Sequence, residues 1–168
     1  MKQPAQRPDL PKRQSNNDRR CLLPLPVDPA HLQHLATAKY CGSPKHKANP
    51  KIYGLEPFLG TRGDATLCDT HSGFGLVHML AIPGLMQRGL RASLVGTSQM
   101  LWTVADSGWI FEARLTNSVQ LEYHGYPVRS SEPIAEAVFS RFNEWAAAHG
   151  SAADQRAAAN CQAMYGFK

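Results

Sequence analysis

The chain has 168 residues, 43% of them hydrophobic, a size that suits one domain whose core stands without disulfide or metal staples. Its net charge of +5 is uneven: residues 1–20 carry six basic and two acidic side chains, and residues 21–168 carry twelve and eleven. The body is thus nearly neutral, and its overall charge selects no anionic partner.

In chain order, residues 1–25 form a basic arm rich in Pro, Gln, Asn and Arg, with the composition of a disordered leader. It lacks the apolar centre of a secretory signal, and no run of about 18 apolar residues follows. A cytoplasmic protein without a membrane partner is expected. In that compartment Cys21, Cys41, Cys68 and Cys161 stay as thiols. Residues 26–168 form a single α+β domain. Asp28-Pro29 caps a helix running to about Tyr40, with Leu32, Leu35, Ala36 and Lys39 on one face. From Gly42 to about Gly75 the chain is broken by Pro and Gly and fits no regular element, a length of irregular chain associated with function.

A second helix is predicted over Pro83–Val95. The period then changes to two. Met100–Ala105 is a strand ending at the turn Asp106-Ser107-Gly108. Trp109–Thr116 alternates, with Trp109, Phe111, Ala113 and Leu115 inward and Glu112, Arg114 and Thr116 outward. Gln120–Tyr126 is a third strand, with Leu121 and Tyr123 inward and Glu122, His124 and Tyr126 outward. A helix capped by Ser131, with Pro133 in its first turn, ends at Gly150, and Ala152–Met164 is the last helix. The expected fold is a small antiparallel sheet of three or more strands with helices packed on one side.

The hairpin carries the sharpest chemistry. With a loop at residues 117–119, Glu112 faces His124 and Arg114 faces Glu122; a slip of two residues pairs Arg114 with His124 instead. Glu112, His124 and Arg114 on one patch could serve as base, acid and phosphate clamp, and equally form cross-strand ion pairs on a solvated face. Lys45, His46 and Lys47 lie in a loop bounded by prolines that suits phosphate contact, as any lysine-rich surface loop does. Arg62 and Tyr126 complete the expected substrate-binding set, Tyr126 as a stacking ring. Cys41, His46, Cys68 and His71 could supply four zinc ligands, although their spacing follows no common structural pattern. Cys68 with His71 could also act as nucleophile and base, or Cys68 could be a buried structural thiol. A phosphate loop, a dinucleotide fingerprint, His-Glu-x-x-His and a nucleophile elbow are all missing, so no cofactor is expected.

The phrases Gly42-Ser43-Pro44-Lys45-His46-Lys47, Arg62-Gly63-Asp64-Ala65-Thr66-Leu67-Cys68, Glu112-Ala113-Arg114-Leu115-Thr116-Asn117 and Tyr123-His124-Gly125-Tyr126-Pro127 resemble a group of short bacterial proteins of unassigned activity, over about residues 30–128. At the level of fold, the order of helices and strands is similar to that of small metal-independent bacterial ribonucleases and ribonuclease toxins. Tyr123-His124-Gly125-Tyr126 is similar to the Tyr-His-Glu-Tyr strand of secreted microbial ribonucleases. Gly125 stands where those enzymes have Glu, so that role does not carry over. Two functions are expected from these features: RNA cleavage without a metal, with RNA and an inhibitor protein as partners, or a non-enzymatic module that binds nucleic acid or protein.

Overall fold

Strand-forming residues from Leu101 onward build the centre of the protein, and every other element is placed by them. The computed structural model describes residues 20–42, 44–61 and 79–168. Strand β2 is Leu101–Val104 and β3 is Ile110–Asn117, joined through the turn at Asp106-Ser107-Gly108. Gly108 takes φ +95, and a Cβ there would lie 2.5 Å from the backbone of Asn160, so both conformation and space require glycine. Strand β4 is Glu122–Pro127 and pairs antiparallel with β3. Strand β1, only Lys39–Tyr40, runs parallel to β4 and completes a sheet of order β1-β4-β3-β2. The α+β class is as expected; the sheet is mixed, not purely antiparallel.

Helices cover both faces, which corrects the expected one-sided packing. Helix α1 (Pro29–Ala36) and helix α2 (Ile82–Arg91) place Leu35, Met86 and Leu90 against Leu101 and Tyr123. Helix α3 (Pro133–His149) and helix α4 (Ala152–Tyr165) place Val138, Phe142, Ala158 and Cys161 against Trp102, Val104 and Ile110. α2 approaches β2 so closely that a Cβ on Gly89 would sit 2.1 Å from the Trp102 carbonyl oxygen. The end of α4 is pinned by Tyr165, whose hydroxyl accepts the Ile110 N–H (3.0 Å) and donates to the Val128 carbonyl (2.7 Å).

The element boundaries have identifiable causes. Asp28 caps α1 as expected, its carboxylate accepting the Ala30 N–H at 2.9 Å. α1 stops at Ala36, because Lys39 N–H bonds Leu121 O and draws the next residues into the sheet. α2 stops at Arg91, because Ser93 takes φ 55 and turns the chain so that the Trp102 N–H reaches Leu94 O. The cap of α3 is Glu132, not Ser131, and α4 starts with a reciprocal capping box between Ser151 and Asp154. Within the irregular segment, Pro44–His46 and Pro50–Tyr53 form short 3-10 turns. Residues 20–25, assigned to the arm by composition, include Arg20 bonded to Glu112, and Leu22 and Leu23 paired with Gly96 and Val95. No helix among the described residues is long and apolar enough to cross a membrane.

Candidate functional site

The side of β3 that bears Glu112 and Arg114 runs from core to solvent. At its inner end Ile110 is fully buried among the residues of α3 and α4. Glu112 follows, also at 0% exposure, then Arg114 at 29% for its side chain, and Thr116 is exposed. A carboxylate at such a depth requires donors. The Glu112 carboxylate accepts from Arg20 Nε (2.8 Å) and Nη2 (2.6 Å), from Trp102 Nε1 (3.0 Å) and from Arg114 Nε (2.5 Å). Trp102 reaches it because β2 and β3 pair Trp102 with Glu112. Arg20 also bonds Glu132 at 2.9 Å, and the other Glu132 oxygen accepts the Arg129 N–H at 2.5 Å. The two carboxylates outweigh the effect of burial and raise the Arg20 pKa above its ordinary value, so this side chain is a fixed cation.

Toward solvent, the register is the slipped one: Arg114 pairs with His124 and Glu112 with Tyr126. The expected facing of Glu112 with His124 and of Arg114 with Glu122 is therefore replaced. Two features shift it. The connection occupies residues 118–121, with Asn117 Oδ1 accepting the N–H groups of Val119 and Gln120, and the pairing is interrupted at Thr116. The bulge leaves Thr116 Oγ1 in hydrogen-bond contact with His124 Nδ1, while His124 Nε2 contacts the Tyr126 hydroxyl. The His124 and Tyr126 rings meet edge to face at 4.8 Å, and the Arg114 guanidinium lies over the Tyr126 ring at 5.7 Å. Thr116, His124, Tyr126, Arg114, Glu112 and Arg20 thus form one connected line.

The basic segment starts at the outer edge of β4. The N–H groups of Cys41 and Gly42 both bond Tyr123 O (2.8 and 3.3 Å), and the Tyr40 ring lies against Gly125. From there the chain enters the 3-10 turn holding Lys45 and His46, with Lys47 next; Lys45 and Lys47 are half-buried. The hairpin residues Glu112, Arg114, His124 and Tyr126 are directly joined, and the basic segment is attached to β4 through Cys41 and Gly42. Arg62, Cys68 and His71 lie outside the described residues. Among the described residues no group of three or more His, Cys, Asp or Glu could hold a metal ion. Cys41 Sγ donates to the carbonyls of Tyr123 (3.3 Å) and Gly42 (3.4 Å).

Sequence reasoning missed Arg20, Trp102, Thr116 and Glu132. Trp102 was within reach, since the turn at Asp106–Gly108 sets it opposite Glu112. Arg20 was not: it sits among other basic residues of the arm with no period to mark it. No family model, curated protein or solved structure matches this chain.

Proposed function

We propose that the Arg114, His124 and Tyr126 patch is an RNA-binding surface that works without a metal, with Lys45 and Lys47 extending it along the phosphate backbone. The observation that carries this reading is the continuous guanidinium, phenol and imidazole array at the open end of β3 and β4. Arg114 supplies a phosphate donor held rigidly by Glu112, and the Tyr126 ring supplies a face for a base. Occupied by Arg20, Trp102 and Arg114, the Glu112 oxygens are poorly placed to take a proton, which favours binding over an acid–base pair built on Glu112 and His124.

Cleavage is the second reading, favoured by the position of His124 between two hydroxyl groups. Here His124 removes the proton of a ribose 2′-hydroxyl, the resulting oxygen attacks phosphorus, and the bond to the 5′-oxygen breaks. The Tyr126 hydroxyl gives its proton to the leaving 5′-oxygen and recovers one from protonated His124. Arg114 takes up charge on the phosphorane. The products are a 2′,3′-cyclic phosphate and a 5′-hydroxyl.

Fluorescence anisotropy of a labelled single-stranded RNA tests the reading. Affinity should fall steeply with salt, and Arg114→Ala should make the slope of log K against log salt shallower by about 0.7, the value for one phosphate contact on a single strand. A flat salt response removes RNA as the partner. For the second reading, cyclic-phosphate ends should form in EDTA and be lost in His124→Ala.

A further inference from the structure

We infer that Arg20 is a positioning residue that sets how much of the Arg114 charge is left for phosphate. The inference rests on the RNA-binding reading of the patch. Glu112 is shared: Arg20 takes one of its oxygens through two N–H groups, and Arg114 takes the other through Nε alone. With 9% of its side chain exposed, Arg20 is committed to this buried position, whereas Arg114 continues outward over Tyr126. Without Arg20, the full charge of a buried carboxylate would fall on Arg114, and at contact distance in a weakly polar surrounding that would cancel its attraction for an anion. Glu132 works in the opposite sense, because it draws Arg20 away from Glu112 through its 2.9 Å bond.

Four charges therefore form a sequence in which each neighbour inverts the effect of the next: Glu132, Arg20, Glu112, Arg114. A purely structural role for Arg20 predicts that every disruption of the sequence weakens binding. The shared-charge role predicts alternating signs. Arg20→Ala should lower RNA affinity and make its salt slope shallower by about 0.7, as if one phosphate contact had been lost. Arg20→Ala with Glu112→Gln should restore the slope, since the charge released by the first change is removed by the second. Glu132→Gln should raise affinity above that of the unaltered chain.

The experiment measures RNA affinity against salt for the full chain and these three variants. In parallel, inorganic phosphate is titrated while the Arg114 Nε–H resonance is followed by NMR. If the unaltered chain binds RNA and Arg20→Ala binds it equally, the inference fails and the RNA reading stands. If the unaltered chain binds no RNA, that reading fails, and phosphate decides the inference. A phosphate response at Arg114 that is lost in Arg20→Ala and regained in the double variant supports it. An equal response in all variants, or none in the unaltered chain, overturns it. Should Arg20→Ala fail to fold, Glu132→Gln decides: higher affinity for RNA, or for phosphate if RNA does not bind, supports the inference, and equal or lower affinity overturns it.

Discussion

Arg88 and Arg20 are both guanidinium groups buried against carboxylates, and their surroundings lead in different directions. Arg88 Nε bonds Asp154 at 2.7 Å, its Nη1 bonds the Val104 carbonyl at 2.8 Å and its Nη2 bonds Asp106 at 2.8 Å. Asp154 is in turn the reciprocal half of the capping box that Ser151 begins at the start of α4. This cluster ties α2, the β2–β3 turn and the start of α4 together. The Arg20 cluster ties the chain at residue 20 to β3 and the start of α3, but it continues through Arg114 to the half-exposed His124 and Tyr126. Burial of the same chemical pair serves as a staple where its bonds end on a turn and a helix start, the exposed Asp106 included, and as a mount where they continue along a strand to a patch of polar side chains.

Removing one guanidinium from each cluster, the buried Arg88 from the first and the outward Arg114 from the second, should separate these roles most clearly. Arg88→Ala leaves Asp154 buried without its cation and should cost about 3–5 kcal/mol in urea unfolding. Arg114→Ala should cost roughly 1 kcal/mol or less, since Glu112 keeps Arg20 and Trp102, while RNA affinity falls. Equal stability losses would erase the distinction. The packing that holds Arg88 in place should come next. Gly89→Ala forces a methyl group into the Trp102 carbonyl and should cost about 1–3 kcal/mol, with the α2–β2 spacing increased. A neutral result by thermal unfolding would mean that α2 can move away freely.

Acid sharpens the comparison further. Burial raises the Asp154 pKa, but the bonds from Ser151 and Arg88 outweigh it and hold the carboxyl below its ordinary 3.8. The folded value is thus below the unfolded one, so this stabilisation is complete above about pH 4–5 and is lost as pH falls through the lower folded value. Asp154→Asn should therefore be less stable at neutral pH and should show a flatter loss of stability in acid. A parallel pH curve in urea titrations would contradict the assignment. The smallest effect concerns thiols on the two sides. Burial pushes Cys161 up to about 12, whereas Cys21, next to Arg20, is exposed. A thiol reagent at about pH 8 should label Cys21 in the folded protein and reach Cys161 only after unfolding, as mass spectrometry of the labelled peptides would show.

The elements with long, regular patterns were legible in the sequence. α3 declares itself through the apolar stripe of Ile134, Val138, Phe139, Phe142 and Trp145 and through Gly150 at its end, α4 through its alanine-rich stretch, and the first hairpin through Asp106-Ser107-Gly108. β1 was not legible, because two residues carry no period and its pairing with β4 is a contact between residues 39–40 and 122–123. The face of Glu112 was misread for a related reason. Alternation shows which residues share a face, but a strand between two helical layers has no solvent face along its inner half. A carboxylate marks a surface only when no distant cation is brought to it, and here Arg20 comes from 92 residues away. The grouping of Glu112, Arg114, His124 and Tyr126 followed from period two alone and survives the slip. Which of them face one another depends on the length of the connecting loop and on the bulge at Thr116.

The parallel pairing of β1 with β4 has a kinetic consequence. Trp102, Val104, Ile110, Val128 and the apolar faces of α3 and α4 all lie within residues 92–165 and form one cluster. They can condense through short chain closures, whereas β1 must close a span of about 80 residues for its few hydrogen bonds. The carboxyl-terminal portion should thus fold as the first cooperative unit, with β1 and the Arg20 segment docking afterwards. In native-state hydrogen exchange the amides of Trp102 and Val128 should open only with the whole protein. Those of Leu23, Lys39 and Cys41 should exchange at a lower free energy, so that the segment supporting Arg114 opens and recloses while the rest remains folded.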